Sequence, residues 1–129
     1  MKQQPSESYS VAWFKLAEFV SRGEKVRAMG LYRLLAHSLE DQALVLQLEG
    51  DLLRSFDDAT ALERYEHAAL SYKASGRLME AVSVYEHLIV LQPAQTLYRQ
   101  AAVHLYTELD IPERALVHQQ YLDDNQVTV

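Results

Sequence analysis

At 129 residues the chain has the length of one domain, and a domain of that size buries roughly two-thirds of the surface its unfolded chain exposes, enough for a core without covalent staples. The absence of cysteine excludes disulfides, thiolate nucleophiles and cysteine-ligated zinc. It fits a reducing, cytoplasmic setting, as does an N-terminus, MKQQPSESYS, with no apolar signal core. A formal net charge of −6 argues against general nucleic-acid binding, which draws its affinity from cation contacts to phosphates, and no apolar run reaches the ~18 residues that span a bilayer.

Residues 1–9 show no periodic apolar face and are expected to form a disordered lead-in. A first helix is predicted over residues 10–22, striped by Trp13, Leu16, Ala17 and Val20 and stopped by Gly23. A second, over residues 24–38, presents Ala28, Leu31, Tyr32 and Leu35; Gly30 within it weakens the helix by up to ~1 kcal/mol, which a close helix crossing would explain. The third helix, residues 41–55, carries Leu44, Leu46, Leu48, Gly50, Leu52 and Leu53. Asp57-Asp58 then offers capping carboxylates for a fourth, residues 58–75, with Ala61, Leu62, Tyr65, Ala68, Ala69 and Tyr72 along one side. Gly76 supplies the left-handed backbone that a helix C-terminus favours, and a fifth helix follows over residues 77–91 with Ala81, Tyr85 and Leu88. Pro93 opens a sixth, residues 94–109. Asp110 is the expected N-cap of a seventh that reaches residue 122, with a tail over residues 125–129. No segment alternates with period two between turn residues, so the fold class is all-α.

Three of these helices repeat one another. Ala28, Ala61 and Ala94 follow at 33-residue intervals, and so do Tyr32, Tyr65 and Tyr98, and Leu35, Ala68 and Ala101. The preceding helices answer with Trp13/Leu16/Ala17/Val20, Leu46/Glu49/Gly50/Leu53 and Leu78/Ala81/Val82/Tyr85. In this pattern, from residue 10 to residue 109, the chain resembles the tetratricopeptide repeat family. That family pairs W-x2-L-G-x2-Y in one helix with A-x3-[FY]-x2-A in the next, at about 34 residues per unit. The resemblance implies a right-handed α-α superhelix of three helix hairpins and a capping helix, forming a single domain over residues 10–124. A second phasing begins at Tyr65 and echoes 34 residues on through Ala102, Tyr106, Asp110, Ala115 and Leu122.

The resemblance also implies a function without catalysis or cofactor: a scaffold or adaptor that holds a peptide, helix or partner subunit in a concave groove lined by the first helix of each pair. The residues expected there are Phe14, Glu18, Gln47, Asp51, Arg54, Met79, Ser83 and Glu86, with Phe14 and Met79 as apolar anchors. The second phasing moves the groove to Glu63, Glu66, Leu70, Lys73, Gln100 and His104. Family members that clamp C-terminal carboxylates use asparagine with Lys or Arg from successive first helices, and the sole asparagine here is Asn125, in the tail.

From the residues themselves, five histidines include no HExxH and no pair four apart, so no metal site is indicated. No phosphate-binding glycine loop or nucleophile elbow occurs, and nothing suggests an enzyme. Charge is uneven: residues 11–36 hold five cations against two carboxylates, a balance of +3, whereas residues 37–66 hold eight carboxylates against two cations, a balance of −6. That pattern suits two solvated helix faces or a polar gradient along a binding surface. The alternative function is a self-associating structural protein that forms a homo-oligomer through its open ends, since Trp13, Phe14 and Phe19 make the first helix apolar on more than one side.

Overall fold

Apolar residues at steps of three and four along each segment place one stripe per helix, and burying those stripes against one another is what holds the helices. The computed structural model describes residues 5–125, with side chains from residue 10 onward, and seven α-helices account for most of that span, with no strand among the described residues. They are α1 (Pro5–Ser21), α2 (Lys25–Ala36), α3 (Gln42–Ser55), α4 (Ala61–Ala74), α5 (Leu78–Leu91), α6 (Thr96–Glu108) and α7 (Pro112–Asp124). The first helix begins at Pro5, ahead of the expected start at residue 10 and inside the stretch expected to be disordered. The rest of that expectation, for residues 1–4, lies outside the described residues, as does the tail over residues 126–129. No helix among the described residues is long and apolar enough to cross a membrane.

Four helices end in the same way. Gly23, Asp57, Gly76 and Asp110 all adopt positive φ. At each of them one N–H returns to the carbonyl three residues back, and the next N–H reaches five residues back, as in Gly76 N to Lys73 O at 3.0 Å and Arg77 N to Tyr72 O at 2.9 Å. This is the Schellman arrangement, which satisfies two terminal carbonyls per helix. Asp110 is a terminator of α6, not the N-cap of α7, whose cap position is Ile111 with Pro112 behind it. Asp57 likewise closes α3, and Asp58 folds the following turn by accepting from the Thr60 N–H and hydroxyl, three residues before α4 begins. Aspartate serves both purposes, because its short side chain tolerates the left-handed region and also accepts from nearby N–H groups. Similarly, Pro93 and Ala94 form a turn and α6 starts only at Thr96, so Ala94 is exposed where its counterparts Ala28 and Ala61 are buried.

Short connections fold consecutive helices back on each other. Packing is dense between α3 and α4, α4 and α5, α5 and α6, and α6 and α7, but sparse between α2 and α3. Alternate helices are tied as well. Lys25, the first residue of α2, pairs with Asp58 ahead of α4 at 2.7 Å, and Arg77 ahead of α5 pairs with Asp41 ahead of α3 at 2.7 Å. Tyr98 of α6 donates to Glu66 of α4, and His118 of α7 meets Glu86 of α5. The Lys25 pair joins the basic stretch of the sequence to the acidic one.

Two clusters of apolar side chains result. The larger runs from α3 to α7 around the fully enclosed Tyr65, Leu88 and Leu105, with Ala68, Ala69, Ala81 and Ala102 letting backbones approach between them. Each such leucine contributes roughly 1.5–3 kcal/mol by leaving water. The smaller holds Leu16, Ala28, Tyr32, Leu35 and Leu52 and joins the α1–α2 hairpin to α3. Tyr32, Tyr65 and Tyr98 are core residues. A Cβ on Gly30 would meet nothing within 4 Å, so no close crossing explains that glycine; the tight approach is at Gly50.

Candidate partner-binding groove

Helix α3 is fixed from behind by tyrosines of α4. A Cβ at Gly50 would sit 2.9 Å from two ring carbons of Tyr65, so only a glycine admits the ring this close. With the ring in place, the Tyr65 hydroxyl donates to Asp51 Oδ1 at 2.5 Å, and one turn away the Tyr72 hydroxyl donates to Gln47 Oε1 at 2.7 Å. Burial raises the Tyr65 phenol above its ordinary range and the Asp51 carboxylate adds to the rise; burial likewise raises Tyr72. Both tyrosines therefore remain donors, and Gln47 and Asp51 form a ridge along the outer side of α3.

A hollow lies on each side of this ridge. Toward α1 is a solvent-open cavity of about 380 Å³, with Trp13, Leu16, Ala17, Val20 and Ser21 on one wall and Leu48, Asp51, Leu52 and Ser55 on the other. Tyr32 of α2 is its floor, held by a hydrogen bond from its hydroxyl to the Val45 carbonyl. Burial, with the charges of Glu49 and Asp51 nearby, pushes the Tyr32 phenol up to about 12. The cavity continues over α1 into a shallow depression formed by Ser10, Trp13, Phe14 and Ala17. Toward α5 is a smaller depression of about 210 Å³ between Gln47, Met79, Glu80 and Ser83.

Of the residues expected in a groove, the structure gathers Gln47, Met79 and Ser83 around one depression, sets Asp51 in the wall of the α1–α3 cavity and leaves Phe14 at 77% exposure beside it. Met79 is 55% exposed, and Arg54 also faces solvent, close enough for its charge to act on the Tyr65 hydroxyl. Glu18 is engaged on α1 by Lys15 at 3.2 Å and Arg22 at 2.8 Å. Glu86 faces His118, whose Nε2 lies 2.5 Å from Oε1 while Nδ1 is 3.1 Å from Arg99 Nη1. This suits an imidazole that donates from Nε2 and accepts at Nδ1. In the second phasing, Leu70 is exposed but Glu66 is occupied by the Tyr98 hydroxyl.

Sequence reasoning missed the α1–α3 cavity because it assigned Trp13, Ala17 and Val20 to a buried stripe. The stripe is real, but only Leu16 in it is fully buried; Trp13 and Val20 are half-buried and Ala17 is exposed. The available signal was the breadth of apolar character on α1, too wide for a helix packed on one side alone. No protein-family model, curated protein or solved structure matches the chain.

Proposed function

We propose that the chain is an interaction module, a tetratricopeptide-like superhelix that takes a segment of a partner protein across the layer formed by α1, α3 and α5. The observation that carries this reading is the apolar cavity between α1 and α3, open to solvent and continuous with the exposed Phe14. Apolar surface gathered into a concavity gains from being covered, and a concave wall of side chains gives such a cover a defined seat. Ties between alternate helices support the stacked arrangement: Arg77 to Asp41 and Glu86 to His118 link α3, α5 and α7, while Lys25 to Asp58 and Tyr98 to Glu66 run through α2, α4 and α6.

A photoreactive phenylalanine analogue placed at Phe14 or Met79, with Leu97 on α6 as the control position, tests the assignment in cells that make the protein. Protein adducts at the first two positions and none at Leu97 are expected; adducts at Leu97 alone, or at none of the three, would reject the groove. A second reading is favoured by the exposure of Val11 and Phe14 on α1: two copies of the chain cover each other there. Sedimentation over a range of concentration separates the two, since the leading reading expects a monomer in the absence of partner.

A further inference from the structure

We infer that the segment seated in this groove is an amphipathic helix with basic residues along the flank that faces α3, an assignment that rests on the reading of the groove as a partner site. Both walls are helices, and the wall residues lie within them, where backbone N–H and C=O groups are already bonded along the helix. An extended strand laid here finds no edge to pair with, so its own backbone groups would be covered without partners. A helix satisfies its backbone internally and presents only side chains. The hollow is lined chiefly by Trp13, Leu16, Ala17, Val20, Leu48 and Leu52, and accepts an apolar face.

The charge comes from the ridge and the far bank. The Asp51 carboxylate is exposed at the cavity edge and held by the Tyr65 hydroxyl, and among the described residues no cation lies within ion-pairing distance of it. Across the ridge, Glu80 shares the single guanidinium of Arg77 with Asp41, so that group of three remains net negative. Only Arg54 answers from the same side of α3. By contrast, on the α1 side Glu18 is matched by two cations, Lys15 and Arg22. Gln47 and Asp51 are one turn apart and open onto the two hollows. A helix that places leucines in the first hollow therefore brings its flanking residues over Asp51 and toward Glu80, where Lys or Arg is attracted and Asp or Glu repelled.

Trp13 is the only tryptophan of the chain and lies in the cavity wall, so its emission reports occupancy directly. Two synthetic helical peptides with the same leucine face, one with lysines and one with glutamates along a single flank, are titrated into the full chain. The lysine peptide is expected to shift Trp13 emission to the blue and to saturate. Its affinity should fall as salt rises and drop about fivefold or more in Asp51→Asn, a variant that keeps an acceptor for Tyr65. Ala17→Leu, which fills the hollow, should abolish the response, with helix content checked by circular dichroism in both variants. Tighter or equal binding of the glutamate peptide overturns the charge assignment and leaves the groove standing. Failure of both peptides to move Trp13 overturns both. A lysine peptide indifferent to Ala17→Leu binds elsewhere and rejects the proposal. So does a Trp13 shift that grows with protein concentration in the absence of peptide, which identifies a second copy as the occupant.

Discussion

Replacing Gly50 by alanine sets a methyl carbon 2.9 Å from two ring carbons of Tyr65, a residue with 0% exposure whose hydroxyl is committed to Asp51. The ring has nowhere to retreat without breaking that bond, so Gly50→Ala is expected to cost about 1–3 kcal/mol as an overpacked core does. Gly30 is the contrasting position. It too lies inside a helix, but nothing is within 4 Å of an added Cβ, so Gly30→Ala should recover up to about 1 kcal/mol of helix propensity. Urea denaturation midpoints check both, and equal shifts of one sign would mean that the α3–α4 packing is not as tight as described. The helical pattern alone does not separate the two glycines; the repeat does, since Gly50 falls at the glycine of W-x2-L-G-x2-Y and Gly30 at no motif position. Both fall within helical patterns, and the difference lies in a ring from another helix.

At the scale of elements, the α1–α2 hairpin stands apart from the rest. Its apolar residues cluster apart from the main core and reach α3 chiefly through Leu52, α2 packs sparsely on α3, and the Tyr32 hydroxyl and the exposed Lys25–Asp58 pair add polar ties. Exposed ion pairs contribute at most about 1 kcal/mol. Amides of α2 are therefore expected to exchange with solvent faster than those of α4 and α5 in native-state hydrogen exchange, and Lys25→Ala should widen the gap. Uniform protection across all seven helices would show that the two clusters unfold as one. The seven helices themselves were legible, because apolar stripes at steps of three and four dominate every segment. Their ends were legible where glycine marks them, at Gly23 and Gly76, and misjudged where aspartate performs the same task, at Asp57 and Asp110, since aspartate signals a helix start as readily as a left-handed stop. The repeat interval misled at Ala94 because the turn at Pro93 delays α6.

For the whole molecule, which outer residues gather around one hollow depends on how far neighbouring helices splay, a quantity that no stripe encodes. Gln47, Met79 and Ser83 follow from position within the repeat, whereas Val20, Leu48 and Leu52 line a cavity only because α1 and α3 part above Tyr32. The tyrosines bridge these separations, and their ionisation tests the arrangement as a whole. Tyr32 on α2, Tyr65 on α4 and Tyr98 on α6 donate to α3, α3 and α4, and all three phenols are raised, first by burial, Tyr32 from an ordinary 10.0 to about 12. A group whose value is raised by folding contributes stability that is complete below its unfolded value and lost as pH climbs through the folded one. Stability is therefore expected to hold up to about pH 10 and to decline toward pH 12, where the unfolded chain releases phenolic protons that the folded chain retains. Thermal unfolding midpoints across that range, followed together with tyrosinate absorbance, should show these phenols ionising only as helicity is lost. Tyr32→Phe should lower the midpoint at neutral pH, since the hydrogen bond from α2 to the Val45 carbonyl is lost, yet flatten the alkaline decline. Ionisation of the tyrosines at their ordinary value, with helicity intact, would mean that the bonds linking α2, α4 and α6 to their neighbours are not made as described.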